Sequence, residues 1–340
     1  MMKRTILKGP DFCAVVENGR LVEYIRQDPK EQSGDILLGK IDRMMPGMNC
    51  AFVDIGRRKN GFLPLDENGK TFQEGRPKSG ETVVLQIRKE ETGEKGAFLT
   101  RDITLAGTNV ILMPKNRYIG VSSRIEDEET RERLKKIGRE IAGDRFGLVM
   151  RHCSPGEKPE DIRQEAEELF AAWKEIEKVP AGKPGTVLKR NGSFETILHD
   201  YGGYEANEIR EVSEPDASVK RQLSNAESRK VQLVHGGNIV IDRCEAMTVI
   251  DVNTASAMSA GDKERTITET NLEACEEIMI QTRLRDLAGI MMIDFIDMES
   301  ESDRSLVMER LKTCFAEDRV KTVVHGWTSL GIMEMTRKRR

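Results

Sequence analysis

The chain has 340 residues, 38% hydrophobic and 33% charged, with a formal net charge of −4. That length exceeds the ~100–200 residues of one ordinary domain, so two or three cores are expected, and the mixed composition excludes disordered and fibrous classes. The slight acidity gives no global attraction to nucleic acid, and any such binding has to come from local patches.

No apolar run approaches the ~18 residues of a membrane helix, and the N-terminus breaks off at Lys8 before a signal-type core can develop. A cytoplasmic protein without a membrane segment is the expectation. The six cysteines (Cys13, Cys50, Cys153, Cys244, Cys275 and Cys314) form no C-x-x-C pair and have no His at ligand spacing. They read as reduced thiols packed as small apolar groups, and zinc is not expected within this chain.

In chain order, residues 1–33 alternate short apolar runs with turn residues, and Asn18-Gly19 between two of them predicts a tight β-hairpin. Short strands follow around Ile36–Ile41, Cys50–Ile55, Gly61–Leu65, Thr82–Arg88 and Ala97–Thr100, punctuated by glycine. Five such strands over about 65 residues suggest a small closed barrel, most commonly an OB-fold. Because a strand sends alternate residues to opposite sides, Phe52 and Phe62 fall on the more polar face, with Arg88, Lys89 and Lys95 close in sequence. That is an arrangement for stacking bases and holding phosphates of a single strand. Periodicity alone leaves open a second small core, or cover by a neighbouring domain.

From Ile103 to about Lys183, a strand at Val110–Met113, helices at Glu126–Ala142 and Pro159–Lys178 and a strand at Phe146–Arg151 suggest an α/β unit. A Pro- and Gly-rich linker follows at 179–185. Beyond it, Thr186–Leu188 and Glu195–Leu198 read as strands, and Ser213–Lys230 is polar. Then Val231–Val234, Gly237–Ile241 and Met247–Val252 read as strands, Thr266–Leu287 as a long helix capped by Gly289, and Ile290–Ile296 as an apolar strand. Asp303–Ala316 predicts a further helix and Lys321–His325 a further strand, giving a mixed sheet with covering helices.

Two carboxylates stand inside apolar strands, where an unpaired charge needs a partner or a metal. In Ile250-Asp251-Val252-Asn253, period two puts Asp251 and Asn253 on one face, so the amide could orient the acid. In Ile293-Asp294-Phe295-Ile296-Asp297, Asp294 is flanked by apolar residues. Strand-borne acids brought together would repel unless a divalent cation lay between them, and oxygen ligands suit Mg²⁺ or Mn²⁺. The competing readings are Asp251 capping the turn at Thr254 and Asp294 paired with Arg283 or Arg285. His325 reads as a strand-end residue, Trp173 and Trp327 as packing, and Arg337-Lys338-Arg339-Arg340 as either a phosphate patch or a solvated end.

The segment Gly34–Leu65, with Pro46-Gly47-Met48 and Ala51-Phe52-Val53-Asp54-Ile55-Gly56, resembles the S1-type OB domain of the ribonuclease E/G family of bacterial endoribonucleases. Met247–Met298 resembles that family's catalytic segment, through Ile250-Asp251-Val252-Asn253, Thr270-Asn271-Leu272-Glu273-Ala274, Arg283-Leu284-Arg285-Asp286-Leu287 and Ile293–Met298. Leu330–Arg337 resembles the close of its nuclease core.

The resemblance implies a multidomain α/β architecture: an RNase H-like region in two parts (1–33 and 186–230), interrupted by the S1-type OB barrel (34–101) and a 5′-sensor unit (102–185), then a DNase I-like catalytic domain (231–340). It implies Mg²⁺ (or Mn²⁺) on Asp251 and Asp294, with Asn253 steadying Asp251. It places Phe52, Phe62 and Lys95 on the RNA, and Arg151, His152 and Ile111 at the sensor for a 5′-phosphate. The implied reaction is hydrolysis of single-stranded RNA to 5′-phosphate and 3′-hydroxyl ends in RNA processing and decay. The alternative is a non-catalytic S1-domain RNA-binding protein.

Three features depart from the family pattern, one of them the shortness of the segment between Tyr204 and Val231. His152 stands where an Arg-Thr pair would place Thr, and the loop Thr254–Asp262 carries no basic residue before Lys263. The family's paired-cysteine zinc link, shared between protomers, would follow Arg340, so a homodimer or higher homo-oligomer is a state for direct measurement.

Overall fold

The computed structural model describes residues 4–26, 33–65, 72–178, 182–191, 193–203, 207–254, 263–316 and 318–338. The chain forms two compact units, residues 1–26 with 208–340 and residues 27–207. The first unit opens with β1 (Arg4–Lys8), β2 (Phe12–Glu17) and β3 (Arg20–Arg26), an antiparallel meander. The β2–β3 turn is Asn18-Gly19 as the sequence predicts. Both residues have positive φ (50° and 81°), which matches the twist of the flanking strands.

The second unit contains β4 (Ile36–Met45), β5 (Cys50–Asp54), β6 (Gly61–Pro64), β7 (Thr82–Lys89) and β8 (Phe98–Thr100). They pair in the order β4-β5-β6-β8-β7, and a β4–β7 pairing closes the ring, giving the five-stranded barrel expected of an S1-like OB fold. Leu37, Ile41, Ala51, Val53, Leu63, Leu85, Ile87 and Leu99 fill it. Gly39 in β4 makes that filling possible, since a Cβ there would lie 2.5 Å from Leu85 Cδ1 and 2.7 Å from Val53 Cγ1.

A second sheet in this unit runs β11 (Ile119–Val121), β12 (Gly147–Met150), β10 (Val110–Met113), β9 (Leu105–Ala106), packed with α1 (Glu128–Ala142) and α2 (Pro159–Glu177). Asp127 caps α1, accepting from the Thr130 amide at 2.8 Å. β13 (Val187–Lys189) pairs with β4 of the barrel. The stretch Glu195–Leu198, expected as a strand, is instead within α3 (Ser193–Asp200). Phe194, Ile197 and Leu198 are all buried, and their i, i+3, i+4 spacing outweighs the β preference of Thr196 and Ile197.

Returning to the first unit, β14 (Glu208–Glu211) lies parallel to β1, and α4 (Ala217–Glu227) packs Val219 and Leu223 against Leu7, Phe12 and Leu21. The remaining elements are β15 (Lys230–Gln232), β16 (Asn238–Arg243), β17 (Met247–Asn253), α5 (Lys263–Leu284), β18 (Gly289–Asp294), α6 (Glu301–Ala316), β19 (Thr322–Trp327) and β20 (Met333–Arg337). Their six strands form one sheet in the order β15-β16-β17-β18-β20-β19, parallel at β17–β18 and antiparallel elsewhere.

On one face of this sheet, Ile239, Ile250, Val252, Met291, Ile293, Met333 and Met335 pack with Ile278 of α5 and Val307 and Leu311 of α6. The alternate residues of β17 and β18 point away from that core. α5 stops at Leu284, not at Leu287 as the sequence suggests. Asp286 takes φ 46°, its amide bonds the Arg283 carbonyl (3.2 Å) and that of Leu287 the Thr282 carbonyl (3.0 Å), a Schellman stop three residues before Gly289.

Candidate active site and RNA-binding surface

Asp251 and Asp294 are brought together by strand register. β17 and β18 run parallel with Asp251 directly opposite Asp294, and both side chains lie on the exposed face while Ile250, Val252 and Ile293 point into the core. Partial burial pushes the Asp294 carboxyl above the usual range, and the charges of Asp251 and Asp297 push it the same way. That repulsion is what a divalent cation relieves. No Arg or Lys among the described residues forms a salt bridge to either acid, and Arg283, proposed as a partner of Asp294, sits against Asp318 instead.

Asn253 donates Nδ2–H to Asp251 Oδ2 at 2.7 Å, so the acid is oriented from two residues along its own strand. Gly237 (φ +87°) makes the turn beside it, where a Cβ would collide with the Asn253 carbonyl. Asn271 does the equivalent task beyond β18. It is fully buried, donating to the Ile296 carbonyl (2.9 Å) and accepting from the Ile296 amide (3.1 Å), which fixes the backbone just past Asp294. Its motif is visible in the sequence, but the role is not, because the two residues are 25 positions apart.

Two carboxylates, an amide that leaves one Asp251 oxygen uncommitted, and an open face fit a hard cation that retains water ligands. Among the described residues no group of three or more His, Cys, Asp or Glu could hold a metal, so waters would complete the shell. The loop 255–262, remarked on for its lack of basic residues, lies outside the described residues. Arg229, not singled out in the sequence, supplies a cation nearby. It is bidentate on Asp242 (2.5 and 2.6 Å) and feels the Asp251 charge.

On the barrel, Phe52 and Phe62 face outward as expected, directly opposed on β5 and β6 with ring centroids 6.2 Å apart at 71°. Phe98, 37% exposed, continues the row at 5.7 Å from Phe62. Arg43 opposes Phe52 and Lys89 opposes Phe98, so one rung across four neighbouring strand pairs reads Arg43, Phe52, Phe62, Phe98, Lys89. A second core is therefore not what these rings form. Lys95 is exposed in the turn it closes with Thr92. Phe98 was legible from period two, since Ala97 and Leu99 point into the barrel.

Arg151, His152 and Ile111 lie on or beside the second sheet, with Ile111 opposite Val149. Arg151 is engaged by the Asp200 carboxylate and the Gly107 carbonyl. His152 Nε2 lies 3.1 Å from the Asp200 carbonyl; a carbonyl only accepts, so that nitrogen carries the proton. Burial, then the charges of Arg124 and Arg151, holds the His152 pKa below its usual value. The pair expected to face a phosphate is thus occupied by Asp200, from α3.

Other residues take structural places. Arg337 of the terminal basic cluster is buried, with Nε 2.7 Å from Asp318 Oδ2. His325 bonds Thr336 at 2.9 Å, and Trp327 packs edge-on against Phe295. Cys13, Cys50, Cys275 and Cys314 are buried, as expected of thiols packed as small apolar groups.

The chain thus carries an S1-like OB barrel and a sheet that pairs two acids on an open face. The family model described as Ribonuclease E/G family matches residues 104–216 and 210–340. Ribonuclease G of Haemophilus influenzae is 35% identical, the match covering 96% of this chain and 77% of that protein. Ribonuclease G of Escherichia coli (strain K12) is 34% identical with the same coverage. Ribonuclease E of Escherichia coli (strain K12) is 33% identical over 99% of this chain and 37% of its own length. The chain belongs to the ribonuclease E/G family, a class of endoribonucleases.

Proposed function

We propose that the chain hydrolyses single-stranded RNA in the presence of Mg²⁺, leaving 5′-phosphate and 3′-hydroxyl ends, in cytoplasmic RNA processing and decay. The observation that carries this reading is the in-register opposition of Asp251 and Asp294 on the open face of the sheet. A bound divalent cation would neutralise phosphodiester charge and polarise the attacking water. Asp251 and Asp294 would hold it, and Asn253 fixes Asp251 by occupying one of its oxygens. No protein nucleophile is needed, because the acids position charge and do not themselves attack phosphorus. The aromatic rung of the barrel would take bases by stacking, with Arg43, Lys89 and Lys95 for phosphates. Arg151, His152 and Ile111 would form the 5′-end pocket, held closed by Asp200.

The test is incubation of an A/U-rich single-stranded RNA with protein and Mg²⁺, beside Asp294→Asn. Cleavage by the native chain alone supports the reading, provided the product ends have the stated chemistry. Binding by both proteins with cleavage by neither would favour a non-catalytic RNA-binding module. Indifference to the 2′-hydroxyl would point to DNA.

A further inference from the structure

The acids are not alone on the open face of the sheet. Along β17 and β18 the cross-strand pairs on that face are Asp251 with Asp294, then Val249 with Met292, then Met247 with Ile290. Val249 is 37% exposed, Met247 38% and Ile290 46%, so two apolar steps lie open beside the carboxylate step. Exposed apolar residues grouped in this way mark a binding surface.

Resting on the nuclease reading above, we infer that these two steps form a floor for the bases of the two nucleotides next to the scissile phosphate, on one side of it. Three features favour a nucleic-acid strand over a protein. The floor is continuous with the acids, so whatever crosses it passes the Asp251–Asp294 pair. Successive steps are two strand residues apart, ~6.6 Å, close to the advance of one nucleotide in an extended strand. Met247 and Met292 offer thioethers, whose contacts with aromatic rings are favourable, and aliphatic side chains accept any base without hydrogen-bond readout. Across β16, Lys230 stands opposite Val240 toward the edge of the same sheet and adds positive charge where a phosphate backbone would run, while Arg229 is held by Asp242, which lies opposite Val249.

The double variant Met247→Thr, Ile290→Thr tests this with little risk to the fold, since both positions are exposed and Thr suits a strand. Binding of an A/U-rich single-stranded RNA is measured without divalent metal, by fluorescence anisotropy, for the native chain and the variant. The RNA carries an abasic residue at the first or second position on either side of the cleavage point. On one side only, abasic substitution is expected to weaken binding to the native chain by about three- to tenfold. The variant should bind the intact RNA correspondingly more weakly and be insensitive to the abasic change. Equal sensitivity in both proteins, or in neither, would overturn the floor.

Sedimentation of both proteins covers the other occupant: a drop in assembly size with no abasic effect would make the face a contact between copies of this chain. If moving the abasic residue along the RNA weakens binding at two adjacent positions in the native chain and not in the variant, yet nothing is cut with Mg²⁺, the nuclease reading fails and the floor stands.

Discussion

Asp251 and Asp294 are opposed residues of a parallel strand pair, 43 positions apart in sequence and on the same outward side of the sheet. Parallel register places them, and the intervening crossover through α5 is what makes that register available. Asp294→Asn keeps the shape and removes the charge. Single-turnover cleavage is expected to slow by about a hundredfold or more, with metal-free RNA binding unchanged. Undiminished cleavage would remove these acids from the reaction.

Asn253 and Asn271 act through their neighbours, one on a carboxylate and one on the backbone beyond the other carboxylate. Asn253→Ala should raise the Mg²⁺ concentration for half-maximal rate by about 10- to 100-fold, with chemical denaturation unaffected. Asn271→Ala leaves the Ile296 groups without their partner, so about 1–3 kcal/mol of stability should also be lost. A metal titration beside a urea melt separates the two roles.

Asp318 is a buried acid between Arg337 and Arg283, with side chains 0%, 0% and 3% exposed. Burial alone would raise its pKa, but hydrogen bonding and charge from Arg337, then the charge of Arg283, more than offset this and hold it below the usual value. A depressed folded-state pKa means its stabilisation is present above the unfolded aspartate value, ~3.9. That stabilisation is lost as pH falls through the lower folded value. Asp318→Asn should cost about 3–5 kcal/mol at neutral pH, because it strands buried guanidinium charge. The loss should shrink in melts at acid pH; a pH-independent difference would contradict the assignment.

Phe98 extends the Phe52–Phe62 pair into a row of three rings. Phe98→Ala should weaken binding of a single-stranded RNA by about 1–3 kcal/mol, as loss of a stacked base does. Anisotropy titrations of Phe98→Ala and Phe52→Ala should give losses of similar size; an unaffected Phe98→Ala would confine the contact to the other two rings.

Asp200 already satisfies Arg151, and the lowered pKa of His152 keeps that imidazole neutral near pH 7. The native chain is therefore expected to cleave 5′-monophosphorylated and 5′-hydroxylated RNA at the same rate. Asp200→Asn should release Arg151 and create a preference for the phosphorylated end. Competition between the two RNAs reads this directly, and a strong native preference would show that phosphate displaces Asp200.

Local signals carried much of the architecture. The Asn18-Gly19 turn, the five barrel strands and the outward parity of Phe52 and Phe62 follow from turn chemistry and period two, which act within a few residues. The two acids were conspicuous because charge inside an apolar strand is costly wherever that strand goes. Residues 195–198 misled because β-branched Thr196 and Ile197 outvoted a helical burial pattern whose partners lie elsewhere in the chain.

What only tertiary structure decided was who meets whom. Arg283 could have met Asp294 but met Asp318, and Arg337 entered the core instead of the solvent. Asp200 closed on Arg151, and Phe98 and Lys89 joined the aromatic row through long-range pairing. Side-chain type and strand parity are encoded locally, whereas partner choice depends on register and packing between segments far apart, which no short window of residues contains.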